Sequence, residues 1–203
     1  ELAQASLVFS MIPRREYRGV SVIGGGGALG IAACDAAERY GIAVPPLEEN
    51  LSRAILDILP KPGSSAKNPV DVANPHVPPS ILKQTLLTAA RDPSIDLQIL
   101  IQLFYHYKAP AIIFGKDVRE VTPFREMAEA AGDVARTTGK PVLLVMPNNK
   151  QGLDSMDIEE MRREARKTFL GQGVPVFDEL EEALRAIGHL SRYSRRKSLI
   201  LNG

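Results

Sequence analysis

Residues 19–36, GVSVIGGGGALGIAACDA, decide the fold of this chain. The run GVSVIG is short, rich in β-branched residues and stopped by successive glycines, which is typical of a strand that enters a loop. An apolar helical pattern then extends from Ala28 to Tyr40, where Gly41 supplies a C-terminal stop. The stretch therefore predicts a strand, a glycine loop and a helix in succession.

The rest of the chain repeats this order of strand and helix. The nearly continuous apolar residues at 95–104 predict a parallel strand that is covered on both faces. We also expect short strands at 141–147 and 174–177, and helices at 48–59, 78–91, 121–138, 155–170 and from an Asp178 cap to about Leu190. The alternation predicts an α/β fold, a doubly wound and mostly parallel sheet in a flavodoxin-like or Rossmann-like three-layer domain.

Prolines weaken two further segments as candidate strands. IAVPPL at 42–47 allows at most a short or edge strand, and NPVDVANP at 68–75 is expected to be an ordered loop with a short extended core around Val70 and Val72. We divide the chain into an N-terminal helical arm or linker at 1–18, a main domain at 19–192 and a C-terminal tail or linker at 193–203.

Composition excludes several classes of function. The 203 residues include 25 basic and 24 acidic residues, so the positive and negative charges nearly cancel. No overall electrostatic field therefore favours binding to nucleic acid or to a membrane surface. No apolar run approaches the roughly 18 residues of a membrane span, and the first residues do not resemble an export signal. A single cysteine, Cys34, excludes an internal disulfide and indicates a reducing, cytoplasmic setting, and no grouping of residues has metal-ligand spacing.

The glycine loop is the strongest candidate for a ligand site. Successive glycines remove each Cβ that would keep a ligand from the backbone, and the unsatisfied N–H groups at the start of the following helix attract an anion. A phosphate is the natural ligand. Two other interpretations stay open: Gly25, Gly27 and Gly30 satisfy the GxGxxG pattern of NAD-binding domains, or the glycines only allow tight packing. A P-loop is excluded because no Lys followed by Ser or Thr succeeds the glycines.

Several segments together resemble a known family. GGGGALGIAACDAAERYGIAVPPL, then a helix ending in ILP, then NPVDV, is similar to the CoA-ligase, flavodoxin-like domain of NDP-forming acyl-CoA synthetases, relatives of succinyl-CoA synthetase. DPSIDLQILIQL and GVPVFDELEEALRAIGHLSRY also resemble segments of that domain. The resemblance implies a ligase that makes acyl-CoA, NDP and phosphate from acid, CoA and NTP through a phosphohistidine.

The resemblance also assigns roles to residues of this chain. It implies that the N-terminus of the glycine-loop helix faces a phosphohistidine carried by another domain, and Asp35 matches an acidic position that we expect to orient or pack. Asn68 and Asp71 of NPVDV are expected to fix a loop by bonding backbone, with a direct contribution to the site as the alternative. The implied backbone donors for the phosphate are Gly25, Gly26, Gly27, Ala28 and Leu29.

The same resemblance bears on the remaining candidate residues and implies partners for this chain. His76, His106 and His189 lack the flanks expected of the phosphorylated histidine, and Cys34 is expected to be a buried small residue. We expect no cofactor held tightly by this domain, whereas the complete enzyme would use CoA and ATP or ADP with Mg. The implied partners are a CoA-binding domain and an ATP-grasp domain, in the same chain or another subunit, and the isolated chain would be inactive.

A second hypothesis is a non-catalytic domain that binds phosphate or nucleotide, or serves assembly. The apolar and basic ends at 2–12 and 192–201 would then dock neighbouring domains or a second copy in a homo-oligomer.

Overall fold

The computed structural model describes residues 2–150 and 152–202, without the side chains of the last two, and it contains one five-stranded parallel sheet. The strand order is β2-β1-β3-β4-β5, and each neighbouring pair is parallel. The strands are β1 (Val20–Gly24), β2 (Val70–Asp71), β3 (Leu97–Ile101), β4 (Val142–Val145) and β5 (Val176–Phe177). The predicted α/β fold with a parallel sheet is confirmed, and the strand order is that of flavodoxin-like domains.

Helices cover both faces of the sheet and complete a three-layer domain. One apolar cluster joins the sheet to α3, α4, α7 and α8, and a second joins it to α1, α2 and α9. The described helices are α1 (Leu2–Met11), α2 (Gly27–Arg39), α3 (Glu49–Ile58), α4 (Pro79–Ala89), α5 (Lys108–Phe114), α6 (Val118–Val121), α7 (Phe124–Thr138), α8 (Met156–Gly171) and α9 (Leu180–Asn202). Within the described ranges, no helix is both long and apolar enough to cross a bilayer.

The central strand β3 shows why its sequence lacks alternation. All five residues of LQILI are buried. Ile99 and Ile101 belong to the cluster on one face of the sheet, whereas Leu100 belongs to the cluster on the other. A strand covered on both faces needs apolar residues at successive positions, as the sequence predicted.

The last helix is longer than predicted. The expected end near Leu190 is wrong, because α9 continues to Asn202. No glycine or proline occurs between Gly188 and the terminal Gly203, so nothing in the backbone ends the helix earlier. The helix begins at Leu180, and the carboxylate of Asp178 accepts hydrogen bonds from Arg162 and Arg166 at 2.6 Å.

The two predicted arms lie together on one side of the domain. The rings of Phe9 in α1 and Tyr193 in α9 meet edge to face with centroids 5.3 Å apart. The Tyr17 amide donates to Ser191 Oγ at 3.0 Å and so ties the connector after α1 to α9. The ends of the two arms, residues 1 and 203, lie outside the described residues, and the division into segments stays a prediction.

Two other segments refine the sequence-based expectations. IAVPPL forms no strand, and its Ala43 makes only an isolated parallel bridge with Gly19. NPVDV contains the short strand β2, which confirms the extended core expected around Val70. The segment after β3, where no helix was predicted, contains a 3₁₀ turn at Phe104–Tyr107 followed by α5 and α6.

Candidate functional site

The glycine loop lies at the carboxyl edge of the sheet, where the chain changes direction. From β1 the chain passes to β2 on one side, and from β2 it crosses to β3 on the other side of β1. In open α/β sheets the crevice above such a reversal is where ligands bind. The fold therefore places the predicted loop at the position that favours a ligand.

The loop joins β1 to α2 without a side-chain cap. Gly26 is the N-cap residue, with φ at 101°, a conformation that glycine adopts without a steric penalty. Its carbonyl oxygen accepts hydrogen bonds from the amides of Leu29 at 3.0 Å and Gly30 at 3.3 Å. The amides of Gly27 and Ala28 precede the first residue that can bond within the helix, so they are available to an external acceptor.

These bonds narrow the set of five predicted donors. The Leu29 amide is already bonded to Gly26, and the Gly26 amide makes a long contact of 3.4 Å with Asp71 Oδ1. Gly25, Gly27 and Ala28 are therefore the better candidates for contact with a phosphate. Their contact with phosphate stays a proposal.

Different structural constraints account for the glycines at positions 24–27. A methyl group at Gly24 would lie 2.6 Å from the carbonyl oxygen of Ile101, so Gly24 allows β1 and β3 to approach. A methyl group at Gly25 would have Pro75 as its nearest neighbour, at 4.0 Å. A methyl group at Gly27 would lie 3.4 Å from Asp71 Oδ2. Packing therefore explains Gly24, whereas Gly25 and Gly27 adjoin open space that packing does not require.

That space is a pocket of about 220 Å³. Gly25, Gly26 and Gly27 form one wall, and the side of α2 and the turn before β2 form the others. Pockets for whole organic ligands usually occupy roughly 300–1,000 Å³. The lining residues other than these three are Val22, Gly24, Gly30, Ile31, Cys34, Ser65, Pro69, Val70, Asp71 and Ile101.

Cys34 lies in the wall of this pocket. Burial, with a smaller contribution from the charge of Asp35, raises the pKa of the Cys34 thiol. A raised pKa favours the protonated, less reactive thiol. The expectation that Cys34 is buried is wrong, because its side chain is only half-buried at the wall of the pocket. Asp35 itself is exposed on the outer side of α2, away from the first turn of the helix.

Asn68 holds the turn before β2 against β1. Its Oδ1 accepts from the Val22 amide at 2.9 Å, and its Nδ2 donates to the carbonyl oxygens of Val20 at 3.0 Å and Pro45 at 2.7 Å. Asn68 is buried and has a positive φ of 71°, which asparagine tolerates better than most residues. Asn68 therefore holds its loop through backbone groups that are distant in the sequence, instead of the neighbouring backbone that was expected.

Asp71 brings a carboxylate to the glycine loop. Its Oδ1 accepts from the Ala73 amide at 2.8 Å, a bond within its own loop. The same oxygen contacts the Gly26 amide, and Oδ2 faces Gly27. A negative charge beside the N-terminus of α2 offsets part of the positive potential of the helix end. The alternative, that Asp71 also acts in the site itself, stays open.

Two histidines lie at the same edge of the sheet, next to this loop. His76 Nε2 is 3.3 Å from the His106 carbonyl oxygen, and the His76 ring meets Tyr107 edge to face at 4.7 Å. Burial, followed by the charges of His76 and Lys150, lowers the pKa of His106. Tyr107 is buried, and this burial raises its pKa to about 12.

Other candidate chemistry in the described residues is sparse. His189 lies on α9, where its Nδ1 is 3.0 Å from Arg192 Nη2. Throughout 2–150 and 152–202, no three His, Cys, Asp or Glu side chains are grouped as a metal site would need.

Sequence inspection missed part of the pocket wall. Ser65 reaches the site because its segment pairs antiparallel with Asp71, through two backbone hydrogen bonds of 2.9 Å. The proline-rich sequence around Ser65 carries no strand pattern that would have shown this pairing.

Comparisons with known proteins agree with this arrangement. The model of the Ligase-CoA domain family matches residues 20–157. No curated protein sequence matches the chain significantly. A solved structure of Ca. Korarchaeum cryptofilum dinucleotide forming acetyl-coenzyme A synthetase 1, in its apo form, superposes with a TM-score of 0.71 at 22% identity, over 98% of this chain and 38% of that one.

Two further solved structures give similar values. PH0766 from Pyrococcus horikoshii OT3 superposes with a TM-score of 0.70 at 21% identity, over 96% of this chain and 39% of that chain. The Ca. Korarchaeum cryptofilum enzyme in complex with phosphate and ADP gives a TM-score of 0.71 at 22% identity, with 98% and 38% coverage. At these identities the likeness shows the fold, and the chain spans well under half the length of each neighbour.

Proposed function

We propose, because the chain belongs to the Ligase-CoA domain family, that it is one domain of an NDP-forming acyl-CoA synthetase. The complete enzyme would convert an acid, CoA and a nucleoside triphosphate to acyl-CoA, nucleoside diphosphate and phosphate. The solved neighbours support a larger assembly, since this chain covers only 38% of the acetyl-CoA synthetase chain. CoA and ATP or ADP with Mg would be held mainly by the CoA-binding and ATP-grasp domains.

The proposed role of this domain is to stabilise a phosphohistidine that another domain presents. The observation that carries the proposal is the loop geometry, in which Gly25 and Gly27 adjoin open space at the first turn of α2. Backbone amides aimed at phosphoryl oxygens stabilise negative charge without any reorganisation of side chains. Each hydrogen bond of this kind to a charged group contributes about 1.5–3 kcal/mol.

The position of the Asp71 carboxylate favours a phosphoryl group carried by another domain, and disfavours free phosphate, as the ligand. Its carboxylate lies beside the same amides and repels a free dianion. A phosphoryl group attached to a docked protein segment has the binding energy of that segment to offset the repulsion. We therefore propose that the loop acts on a phosphoryl group delivered by a partner and binds inorganic phosphate weakly.

The pocket volume bears on the alternative NAD interpretation. About 220 Å³ accommodates a phosphoryl group and part of a ring, but it is small for a dinucleotide. The acidic residue that ends β2, Asp71, is bonded to the backbone of the loop itself. Both observations favour a phosphoryl group over NAD.

Replacing Gly27 by valine in the intact enzyme tests the proposal. Side chains at the start of a helix point toward its N-terminus, so the added groups would cover the amides of the first turn. We expect phosphoenzyme formation, followed with radiolabelled nucleoside triphosphate, to fall at least tenfold. Gly171→Val is a matched control, because a Cβ at this end of α8 meets no atom within 4 Å.

Two outcomes would refute the role of the loop. Normal phosphoenzyme formation in a folded Gly27→Val enzyme would contradict it directly. If Gly27→Val and Gly171→Val reduced phosphoenzyme formation equally, impaired folding would explain the effect. An assembly domain without a catalytic role, the second hypothesis, predicts normal phosphoenzyme in both variants. Formation of acyl-CoA by the isolated chain would contradict the proposed division of labour among domains.

A further inference from the structure

Ser65 contributes a side-chain donor to the pocket beside the glycine loop. The polar side chains that line this pocket are those of Cys34, Ser65 and Asp71. A thiol is a weak hydrogen-bond donor, and an ionised carboxylate can only accept. Within the described residues, the Ser65 hydroxyl is therefore the only strong side-chain donor in the pocket wall.

The pairing of Ser65 with Asp71 fixes the direction of this side chain. The two residues exchange both backbone N–H···O bonds, each of 2.9 Å, in an antiparallel bridge. Residues paired in this way lie directly opposite each other, with side chains on the same face and Cβ atoms roughly 4.5–5.5 Å apart. Because the Asp71 carboxylate contacts Gly26 and faces Gly27, the Ser65 side chain projects toward the same crevice.

The register of the sheet leads to the same direction. Asp71 is paired with Gly24 of β1, and Val22, two residues before Gly24, belongs to the apolar cluster that includes α2. Alternate residues of a strand share a face of the sheet, and paired residues of neighbouring strands project to the same side. Asp71 and Ser65 therefore both project on the face that α2 covers, where the amides of its first turn lie.

The hydroxyl of Ser65 is not used to hold its own loop, unlike those of two serines nearby. Ser64 Oγ donates to the carbonyl oxygen of Pro60, and Ser52 Oγ donates to that of Ala66. Ser65 is exposed, and its hydroxyl has no hydrogen-bond partner in the part of the chain that the structure describes. The backbone therefore holds Ser65 in place, while its hydroxyl is available to a ligand of the pocket.

We propose that Ser65 Oγ donates a hydrogen bond to the phosphoryl group that the glycine loop receives. This inference rests on the proposed function, since it adds a side-chain contact to the backbone amides of α2. In a pocket of about 220 Å³ the phosphoryl group would lie between the amides on one wall and the hydroxyl on another. The dipole of the hydroxyl offsets part of the repulsion between the phosphoryl group and the neighbouring Asp71 carboxylate.

Substitutions of Ser65 in the intact enzyme test this contact. With radiolabelled nucleoside triphosphate, Ser65→Ala should reduce the rate of phosphoenzyme formation roughly tenfold or more, as expected for the loss of one hydrogen bond to a charged group. Ser65→Thr keeps the hydroxyl and suits an extended segment, so its rate should stay within about threefold of that of the unchanged enzyme. A normal rate in Ser65→Ala, or a loss in Ser65→Thr as large as that in Ser65→Ala, would overturn the proposal.

Ser64→Ala is the matched control, because it removes the adjacent hydroxyl, which fixes the loop. It should lower the melting temperature more than Ser65→Ala does, and yet retain a rate of phosphoenzyme formation roughly threefold higher or more. If Ser64→Ala lowered that rate as much as Ser65→Ala, the order of the loop would explain both losses and the contact would be refuted.

Two further variants locate the phosphoryl group and separate this inference from the proposed function. Ser65→Asp places a second carboxylate beside the proposed phosphoryl group, so its rate should fall below that of Ser65→Ala. Equal, measurable rates in these two variants would place the phosphoryl group away from Ser65. If Gly27→Val stops phosphoenzyme formation while Ser65→Ala does not reduce it, the role of the loop stands and the contact of Ser65 fails. If neither variant reduces it, the role of the loop fails as well.

Discussion

Replacing Asn68 by alanine removes the side chain that joins the turn before β2 to β1. The Val22 amide loses its acceptor, and the carbonyl oxygens of Val20 and Pro45 lose a donor. These backbone groups lie beside a buried strand, where water does not readily replace the lost partner. The change therefore affects stability through the backbone of β1.

The expected loss can be worked from these contacts. Leaving a buried polar group without a partner costs about 1–3 kcal/mol. Val20 and Val22 are both buried residues of β1. Alanine at a positive φ, here 71°, adds about 1–2 kcal/mol. Together these effects predict a loss of about 2–5 kcal/mol in the free energy of unfolding.

Urea unfolding followed by circular dichroism measures this loss. Asn74→Ala is the matched control, because Asn74 is exposed and its Oδ1 accepts only the His76 amide at 2.8 Å. We expect the control to lose about 0.5–1.5 kcal/mol, the usual net value of one hydrogen bond. A loss for Asn68→Ala no greater than that of Asn74→Ala would show that the three bonds do not support β1.

Two further predictions concern the glycine loop and Tyr107. Gly24→Ala should lower the free energy of unfolding by about 1–3 kcal/mol, because its methyl group would lie 2.6 Å from the Ile101 carbonyl oxygen, whereas Gly25→Ala should change it by less than about 0.5 kcal/mol. Equal losses in thermal denaturation would contradict this difference. Burial raises the pKa of Tyr107 from 10.0 to about 12, so stability that is present below pH 10.0 should fall as pH rises toward 12. Tyr107→Phe should retain more of its stability across that interval, and identical pH profiles of unfolding would refute the assignment.

The fold was predictable where local chemistry decides it. The apolar run of β3 and the glycines after β1 determine strand and loop from neighbouring residues alone. Helix α5 was missed because Pro110 is a helix breaker in most positions. In the structure Pro110 is the third residue of the helix, where its missing N–H is not required, so the helix forms around it.

The candidate site was predictable only in part, for a related reason. The glycine loop and the loop-fixing amide of Asn68 follow from residue type and local sequence. The approach of Asp71 to Gly26 depends on the parallel register that pairs Gly24 with Asp71, residues that are far apart in the sequence. Pairing over such a separation leaves no local pattern, so the carboxylate beside the helix terminus and the pocket wall at Ser65 became visible only in the fold.

The two outermost strands, β2 and β5, are each two residues long. On its open side β2 is further occupied by the antiparallel bridge between Ser65 and Asp71. Little main chain is therefore exposed to accept an added strand, which protects the sheet against edge-to-edge aggregation. A protein that associates with this domain must recognise its side-chain surfaces, since the sheet offers hardly any template for β-augmentation.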